Sequence, residues 1–354
     1  MRAVGISLSL LAGCLLLGSV PAKSEPHIAV RTGFKCGQCH VNKTGGGKRT
    51  EFGMIYAHTN LVMNRVRSST SRGFVDGKIG SGLSMGADLR VDHVYKMETE
   101  GSSDTIAGSD QSRVTEANLY LEAALIPGIY TLYLDQTLSP APENREFWGL
   151  YQNQSAAVYV KVGRMLLPYG LRLQNDDAFV RNKTGFTYNR HDLALEVGWE
   201  PGPWSVVANI TDTRLSTIAS IVYRRFRVGG SYSRDTKTSG KFLLGAFGGV
   251  NFGRVTCIGQ GDFITESGVD RFAGLLELNF LLTQGFNVKA SYEFFDRDRD
   301  VSNELDAQDR ITLGVEPFIT QFLQVSAFYR INRSIPQNAV ENQNQITLQF
   351  HGFF

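Results

Sequence analysis

The chain has 354 residues, with 36 lysines and arginines against 34 aspartates and glutamates, so its formal net charge is only +2. A charge this close to neutral, without a basic cluster interleaved with aromatic residues, excludes nucleic acid as a partner. No stretch of about 18 apolar residues follows the first 22 residues, which excludes a helical membrane span there. The remaining length suits either two soluble domains or one large barrel.

Residues 1–22 predict a secretory signal peptide. They carry one arginine, an apolar run from Val4 to Leu17 and an exit of small residues at 20–22. The sequence at 11–14 also has the form of a lipoprotein cleavage box, in which Cys14 would be lipidated. The apolar run continues past Cys14, as the core of an ordinary signal peptide does, so we interpret the segment as a cleaved signal.

The run Cys36-Gly37-Gln38-Cys39-His40 predicts covalent attachment of one haem c. Two thiolates at this spacing can add across the two vinyl groups of one haem, and the adjacent imidazole then reaches the iron from the same side. We therefore expect Cys36 and Cys39 to form the thioethers and His40 to be the proximal ligand. A redox pair would need a thioredoxin-like context, and half of a zinc site would need a second ligand pair nearby; the sequence contains neither.

The sixth iron ligand has four candidates in the same segment. Met54, His58 and Met63 follow the haem-attachment motif, and His27 precedes it. A methionine would raise the reduction potential of the haem relative to a second histidine. Met54 and Met63 also flank apolar residues, as packing residues do, and spacing alone does not choose among the four.

Residues 23–79 form the predicted haem-bearing segment, which is too short to bury a macrocycle by itself. The polar lumen of a barrel of about sixteen strands has room for an internal plug. We therefore expect this segment to enter the periplasmic mouth of a barrel and to place the haem inside. Lys43, Lys48 and Arg49 could offset the haem propionates, or they could belong to a solvated turn around 45–47.

Residues 80–354 predict an all-β fold, a transmembrane antiparallel β-barrel of porin type. Apolar and polar residues alternate with period two, as where Ala117 and Leu119 face one way and Glu116 and Asn118 the other. A soluble sandwich would also alternate, but with strands of about five or six residues. Segments of about 9 to 11 residues instead suit an oblique crossing of a bilayer.

The alternation predicts about sixteen strands, an even number that closes an antiparallel barrel with both termini on the periplasmic side. The predicted strands are approximately 80–96, 112–126, 128–138, 144–153, 155–165, 191–200, 203–212, 218–225, 226–235, 240–250, 254–264, 270–283, 284–296, 307–318, 319–332 and 342–354. Long polar connections at 98–110, 164–190, 296–309 and 332–342 alternate with tight ones, as outer loops alternate with periplasmic turns.

Three details along the barrel sequence support or refine this prediction. The stretch 162–170 resembles the strand exit and following loop of anion-selective porins, in which such a loop folds inward. The alternating apolar residues that end at Phe354 resemble the terminal strand by which outer-membrane proteins are recognised for insertion, although Gly352 departs from it. Arg225 and Arg227 should face the lumen, and Cys257, which has no disulfide partner, should be a half-buried strand residue.

The order of these parts resembles the fused monohaem cytochrome-porins of outer membranes, a family that includes the iron oxidases of iron-oxidising bacteria. The similarity rests on the haem motif, on VRTGFK at 30–35, on TEFG at 50–53 and on the aromatic Tyr56. Val30 stands where the family has Ala or Phe, and the chain is shorter than many members. The resemblance implies a Gram-negative outer-membrane location, one covalent haem c and transfer of electrons from extracellular Fe(II) inward.

Three functions remain open at this point. The first is an electron conduit between an extracellular donor, Fe(II) or a mineral, and a periplasmic c-type cytochrome or similar carrier, which would make the chain an Fe(II):cytochrome c oxidoreductase. The second is a porin for ions or small solutes with a regulatory haem plug, and the third is a barrel that docks a separate multihaem cytochrome. A hydrocarbon layer about 30 Å thick is too wide for a haem at one face to serve both sides, so a conduit requires the haem within the barrel.

Overall fold

A computed structural model describes residues 25–65, 75–100, 105–188, 190–237, 240–335 and 338–354, apart from the side chains at 303 and 304. The predicted signal peptide, with Cys14, lies outside these residues. None of the helices in the described ranges combines the length and apolar character that a bilayer crossing requires.

Sixteen antiparallel strands close into a barrel, which confirms the predicted fold and strand number. They are β1 (Leu83–Lys96), β4 (Ser109–Ile126), β5 (Tyr130–Ser139), β6 (Glu143–Gln152), β7 (Val158–Leu166), β8 (His191–Trp199), β9 (Trp204–Thr211), β10 (Arg214–Tyr223), β11 (Phe226–Asp235), β12 (Phe242–Phe252), β13 (Val255–Glu266), β14 (Val269–Thr283), β15 (Phe286–Asp296), β16 (Gln308–Thr320), β17 (Leu323–Arg333) and β18 (Gln345–Phe353). Because β1 pairs with both β4 and β18, these strands leave no open edge.

The four long connections all lie at one end of the barrel, as predicted, although that end also has tight turns. The outer connections contain a small hairpin of β2 (Thr99–Glu100) and β3 (Thr105–Ile106) and three short helical segments, at Phe179–Asn182, Asn303–Asp306 and Ala339–Asn342. The opposite end has only short turns among the connections that join consecutive barrel strands. We call these the outer end and the tight-turn end.

The structure corrects the start of β10, which was expected at 218 and begins at Arg214. The Thr211 hydroxyl oxygen accepts hydrogen bonds from the backbone N–H groups of Thr213 and Arg214, at 3.2 and 3.0 Å. This local turn reverses the chain within two residues, so the outer connection before β10 is tight. The alternation in this stretch was too weak to show it.

The barrel wall is apolar outside and polar inside. Leu193 and Val228 are 71% and 60% exposed on the outer face, whereas Lys161 and Glu196 have no exposed surface on the inner face. Cys257 is half-buried in β13, as predicted. A soluble protein has the opposite pattern, with apolar residues inside. A barrel wall that faces lipid requires apolar residues on its outer face.

Residues 25–65 lie inside the lumen toward the tight-turn end, and we call them the plug. They contain α1 (Pro26–Thr32), α2 (Cys36–Cys39) and α3 (Glu51–Tyr56), followed by a π-helical turn at Ala57–Leu61. Proline at the first position of α1 and glycine just after it, with φ of 74° at Gly33, explain why this helix begins and ends where it does. The plug leaves the lumen near β16, where the Met63 N–H donates to the Phe318 carbonyl at 2.9 Å.

The long outer connection at 167–190 folds into the lumen, as the resemblance to porins implied. Its buried side chains include Leu167, Tyr169 and Leu171, and it carries α4 (Phe179–Asn182). The Tyr169 hydroxyl donates to Asp262 Oδ1 at 3.0 Å on the opposite wall. We call this connection the inward loop.

Candidate functional site

The predicted haem-attachment motif folds as one helical turn, α2, inside the lumen. Residues three apart lie on the same face of such a turn, so Cys36 and Cys39 point to a common side. Both thiols are half-buried. The Gln38 side chain accepts a hydrogen bond from the Lys35 N–H at 2.8 Å, and the His40 N–H donates to the Cys36 carbonyl at 2.9 Å, which fixes both ends of the turn.

His40 is buried where the chain doubles back on itself. His40 pairs with Arg49 in an antiparallel bridge, and the reversal between them uses consecutive glycines at 45–47 with φ of 94°, 80° and 64°. This turn is buried against the wall, so the solvated turn considered from the sequence is wrong. A Cβ on Gly47 would lie 2.3 Å from the Tyr133 hydroxyl oxygen, so only glycine fits there.

The surroundings of His40 suit a metal ligand. Its Nδ1 lies 3.4 Å from the Gly47 carbonyl oxygen. A hydrogen bond from Nδ1–H to a carbonyl fixes the tautomer in which Nε2 is free to bind a metal. Burial, and then the charge of Arg49, lower the pKa of His40 to about 3, so the imidazole is neutral, as ligation requires.

A cavity of about 340 Å³ adjoins His40. Gly37 and His40 line it from the plug, and Trp148 and Leu150 line it from the wall. It reaches the tight-turn end beside Pro127. Its volume lies within the range of about 300–1,000 Å³ that small-molecule and cofactor sites occupy.

A second, smaller cavity of about 40 Å³ adjoins Cys36 and Arg227. Arg227 Nη1 lies 3.7 Å from Cys36 Sγ, which confirms that Arg227 faces the lumen. Arg225, by contrast, lies exposed in the turn between β10 and β11 rather than on a strand.

The Lys43 side chain separates the two cavities, because it lines both of them. Its Cδ lies 2.8 Å from the position of a Cβ on Gly37. Burial lowers the pKa of the Lys43 amine. The two cavities together border Cys36, Gly37 and His40, so one thiol and the histidine of the predicted attachment turn have open space beside them, as a haem held there would need.

Cys39 lines neither cavity. Its carbonyl oxygen accepts a hydrogen bond from the Thr50 N–H at 2.9 Å, which ties α2 to the start of α3. Burial raises the pKa of the Cys39 thiol to about 11.

The four candidates for a sixth ligand lie in different places. Met54 and His58 are buried in α3 and the π-helical turn, and Met63 is exposed at the tight-turn end. His27 Nε2 lies 3.3 Å from Glu25 Oε2. None of the four lines either cavity, and the described residues contain no cluster of three or more His, Cys, Asp or Glu that could hold a metal ion. The sixth ligand therefore stays a prediction.

The three cations predicted near haem propionates have different surroundings. Lys43 and Lys48 line the larger cavity, and Lys48 Nζ forms an ion pair with Glu122 at 2.9 Å. Arg49 does not line it; its guanidinium lies over the Phe353 ring, 4.9 Å from the centroid.

A buried polar network that the sequence did not predict fixes the plug to the wall. Asn42 Nδ2 donates to both carboxylate oxygens of Glu146, at 2.9 and 3.1 Å. Lys161 Nζ donates to Asn42 Oδ1 at 3.3 Å and pairs with Glu196 at 2.8 Å. The inward positions of Glu146, Lys161 and Glu196 follow from strand alternation, but nothing in the sequence marked Asn42 as their partner.

The fold matches solved outer-membrane barrels. OmpT of Vibrio cholerae in its trimer form gives a TM-score of 0.60 at 11% identity over 77% of this chain and 99% of that chain. The anion-selective porin from Comamonas acidovorans gives 0.59 at 10% identity, over 78% and 100%. OprB of Pseudomonas putida gives 0.56 at 13% identity, over 84% and 100%.

These likenesses define the class: the chain has the fold of porin-like outer-membrane β-barrels. No protein-family model matches the sequence, and no curated protein matches it either. At identities this low the similarity concerns the fold alone.

Proposed function

We propose that this protein is an electron conduit of the Gram-negative outer membrane, with one haem c attached to Cys36 and Cys39 and ligated by His40 inside the barrel. The observation that carries the proposal is the position of the attachment turn. The turn lies within the lumen, and its buried histidine lines a cavity of about 340 Å³. A covalent haem there would supply a one-electron centre within the membrane-spanning barrel.

The residues around the turn have roles that suit such a centre. The Gly47 carbonyl orients His40 through Nδ1. Trp148 and Leu150 give the larger cavity an apolar wall. Asn42 fixes the plug through Glu146, so the turn is held against the barrel rather than free in the periplasm.

The orientation of the barrel supports electron exchange with the periplasmic side of the membrane. The plug enters from the tight-turn end, which corresponds to the periplasmic side of an outer-membrane barrel. The exposed apolar face of the wall would contact outer-membrane lipid. The partners of the haem would then be an extracellular donor such as Fe(II) and a periplasmic c-type cytochrome or similar carrier, in an Fe(II):cytochrome c oxidoreductase reaction.

The filled lumen favours this proposal over the two alternatives. Arg172 in the inward loop donates to the Gly45 carbonyl of the plug at 2.8 Å. The plug and the inward loop therefore meet inside the barrel. A solute channel, or a lumen that docks a separate multihaem cytochrome, would need this space.

The purified full-length mature protein in detergent tests the proposal. Each haem should take up one electron from one Fe(II), which is oxidised to Fe(III), and the visible spectrum should change from oxidised to reduced haem c. The Cys36→Ser/Cys39→Ser variant should show no such chromophore. Ion conductance in a planar bilayer together with a haem that Fe(II) does not reduce would contradict the proposal and support a porin.

A further inference from the structure

Five cationic side chains lie together at the tight-turn end, and we call them the basic arc. They are Arg31 and Lys35 of the plug, Arg224 and Arg225 of the β10–β11 turn, and Arg254 of the β12–β13 turn. A Cβ on Gly33 would lie 2.3 Å from the Arg224 carbonyl oxygen, so plug and turn are in contact. The Asn251 N–H donates to the Arg225 carbonyl at 3.0 Å, which joins the two turns.

None of the five cations forms an ion pair within the described part of the chain. Lys35 Nζ instead donates to the backbone carbonyls of Glu200 and Trp204, at 2.8 and 2.6 Å. Arg31 Nη1 lies 3.4 Å from Asn287 Oδ1. The arc is therefore a group of cations without an ion pair among the described residues. Burial lowers the pKa of the Lys35 amine, and the Glu200 carboxylate is near enough to oppose this by raising it.

The outer end has a different charge arrangement, because its cations are interspersed with carboxylates. Ion pairs there are Arg164–Glu143 at 3.0 Å, Arg271–Glu266 at 2.9 Å, Lys241–Glu266 at 3.6 Å, Lys237–Asp212 and Arg297–Glu341. At the tight-turn end Lys78 is likewise paired, with Glu51 at 2.9 Å and Asp76 at 3.7 Å. The contrast therefore concerns the basic arc, whose cations differ from these paired ones in the field they present to a macromolecule.

An aromatic cluster of the plug accompanies the basic arc. The Phe34 ring lies edge-on to the rings of Phe52 and Tyr56, with centroid distances of 5.2 and 5.7 Å. Phe52 and the neighbouring Ile55 are 44% and 38% exposed. The cluster is also close to the attachment turn, since the Thr50 hydroxyl donates to the Gln38 carbonyl at 2.6 Å.

We propose that the basic arc and this aromatic cluster form the docking site of a periplasmic electron carrier whose redox edge is surrounded by carboxylates. The inference rests on the proposed function and names the kind of carrier. Exposed apolar residues with a charged rim are what a transient protein interface offers, and complementary charge speeds encounter. Arg31, Lys35 and Phe52 belong to the plug inside the ring of strands, where lipid headgroups do not reach, which favours a protein over the membrane surface.

The experiment compares two charge-reversed holoproteins. Arg224→Glu/Arg225→Glu/Arg254→Glu alters the arc, and Arg113→Glu/Arg234→Glu/Arg299→Glu alters the same number of exposed arginines on the outer half. The probes are an acidic soluble cytochrome c and the basic mitochondrial cytochrome c. The readout is the stopped-flow rate of electron exchange with the reduced protein at increasing salt.

The acidic probe should react faster than the basic one, and its rate should fall as salt rises, since screening shortens the reach of surface charge. The arc variant should lose at least about tenfold in this rate, the neutral Arg224→Gln/Arg225→Gln/Arg254→Gln variant should lose less, and the outer variant should react as wild type. An unchanged haem spectrum in every variant keeps this test separate from the proposed function.

Two results would overturn the docking site. One is a rate with the acidic probe that is the same in all variants and independent of salt. The other is an arc variant that loses only its association with phosphatidylglycerol vesicles, which would assign the arc to lipid. A purified protein without haem would instead contradict the proposed function itself.

Discussion

The barrel wall and the plug are stabilised by different interactions. Each barrel strand is hydrogen-bonded to two neighbours, so the wall has a continuous backbone ladder. The plug helices α1, α2 and α3 have seven, four and six residues, and isolated helices shorter than about 12 residues are unstable in water. The segment that carries the chemical motif therefore depends on the wall for its conformation.

The largest expected effect concerns the buried charges on the inner face of the wall, which should be necessary for the stability of the barrel. Lys161→Met leaves Glu196 buried, and within the described ranges its one remaining hydrogen bond comes from the Tyr159 hydroxyl, at 3.1 Å. Removal of one partner of a buried ion pair should lower the free energy of unfolding by about 3–5 kcal/mol. Denaturant unfolding in detergent, followed by tryptophan fluorescence, measures the loss.

Lys237→Met is the matched control for Lys161→Met. Lys237 pairs with Asp212, and their side chains are 55% and 80% exposed. An exposed pair of this kind contributes about 0–1 kcal/mol. Equal losses in the two variants would show that the inner charges are solvated and that the wall does not need the plug to cover them.

A second substitution acts on the plug alone. A Cβ on Gly53 would lie 2.1 Å from the Cys39 carbonyl oxygen, so Gly53→Ala should push α3 away from the attachment turn. Overpacking of this kind costs about 1–3 kcal/mol. The yield of covalent haem per purified protein should fall, while the heat-modifiable gel migration of the barrel should not change.

Gly80→Ala serves as the control for Gly53→Ala, because a Cβ on Gly80 meets no atom within 4 Å. If both variants retain haem equally, α3 does not support the turn. If Gly53→Ala also unfolds the barrel, the plug and the wall are one cooperative unit rather than two.

The smallest effect concerns the start of α3. The Thr50 hydroxyl oxygen accepts from the Gly53 N–H at 3.1 Å and caps the helix. Thr50→Ala should cost about 1 kcal/mol and should make the plug more sensitive to protease, whereas Thr50→Ser should keep the cap. Identical cleavage of wild type and Thr50→Ala would mean that the wall alone holds α3.

The difference between the wall and the plug also explains which features the sequence could predict. Alternation along a strand is local, so residues such as Asn118 and Leu119 could be assigned to opposite faces, and the strand number followed. The contact of Asn42 with Glu146 joins residues 104 positions apart, and no periodic pattern reports such a pair. The start of β10 was missed because a tight turn at Thr211 depends on one side chain.

In the plug, the haem-attachment motif could be predicted from the sequence, but the surroundings of the motif could not. The spacing of Cys36, Cys39 and His40 needs no tertiary information. The cavity beside His40 and the position of Lys43 between the two cavities arise only when the wall is in place. The sixth ligand could not be chosen for the same reason, since its candidates are distributed by the packing of the plug against several strands.

Whether the protein carries a haem is tested most directly by the intact mass of the purified mature protein, measured together with its pyridine haemochrome spectrum. We expect one covalently bound haem per chain, with the spectrum of two thioether bonds, and loss of that mass in Cys36→Ser/Cys39→Ser while the barrel still folds. A wild-type mass equal to that of the polypeptide alone, in cells that attach haem c to other exported proteins, would contradict this expectation.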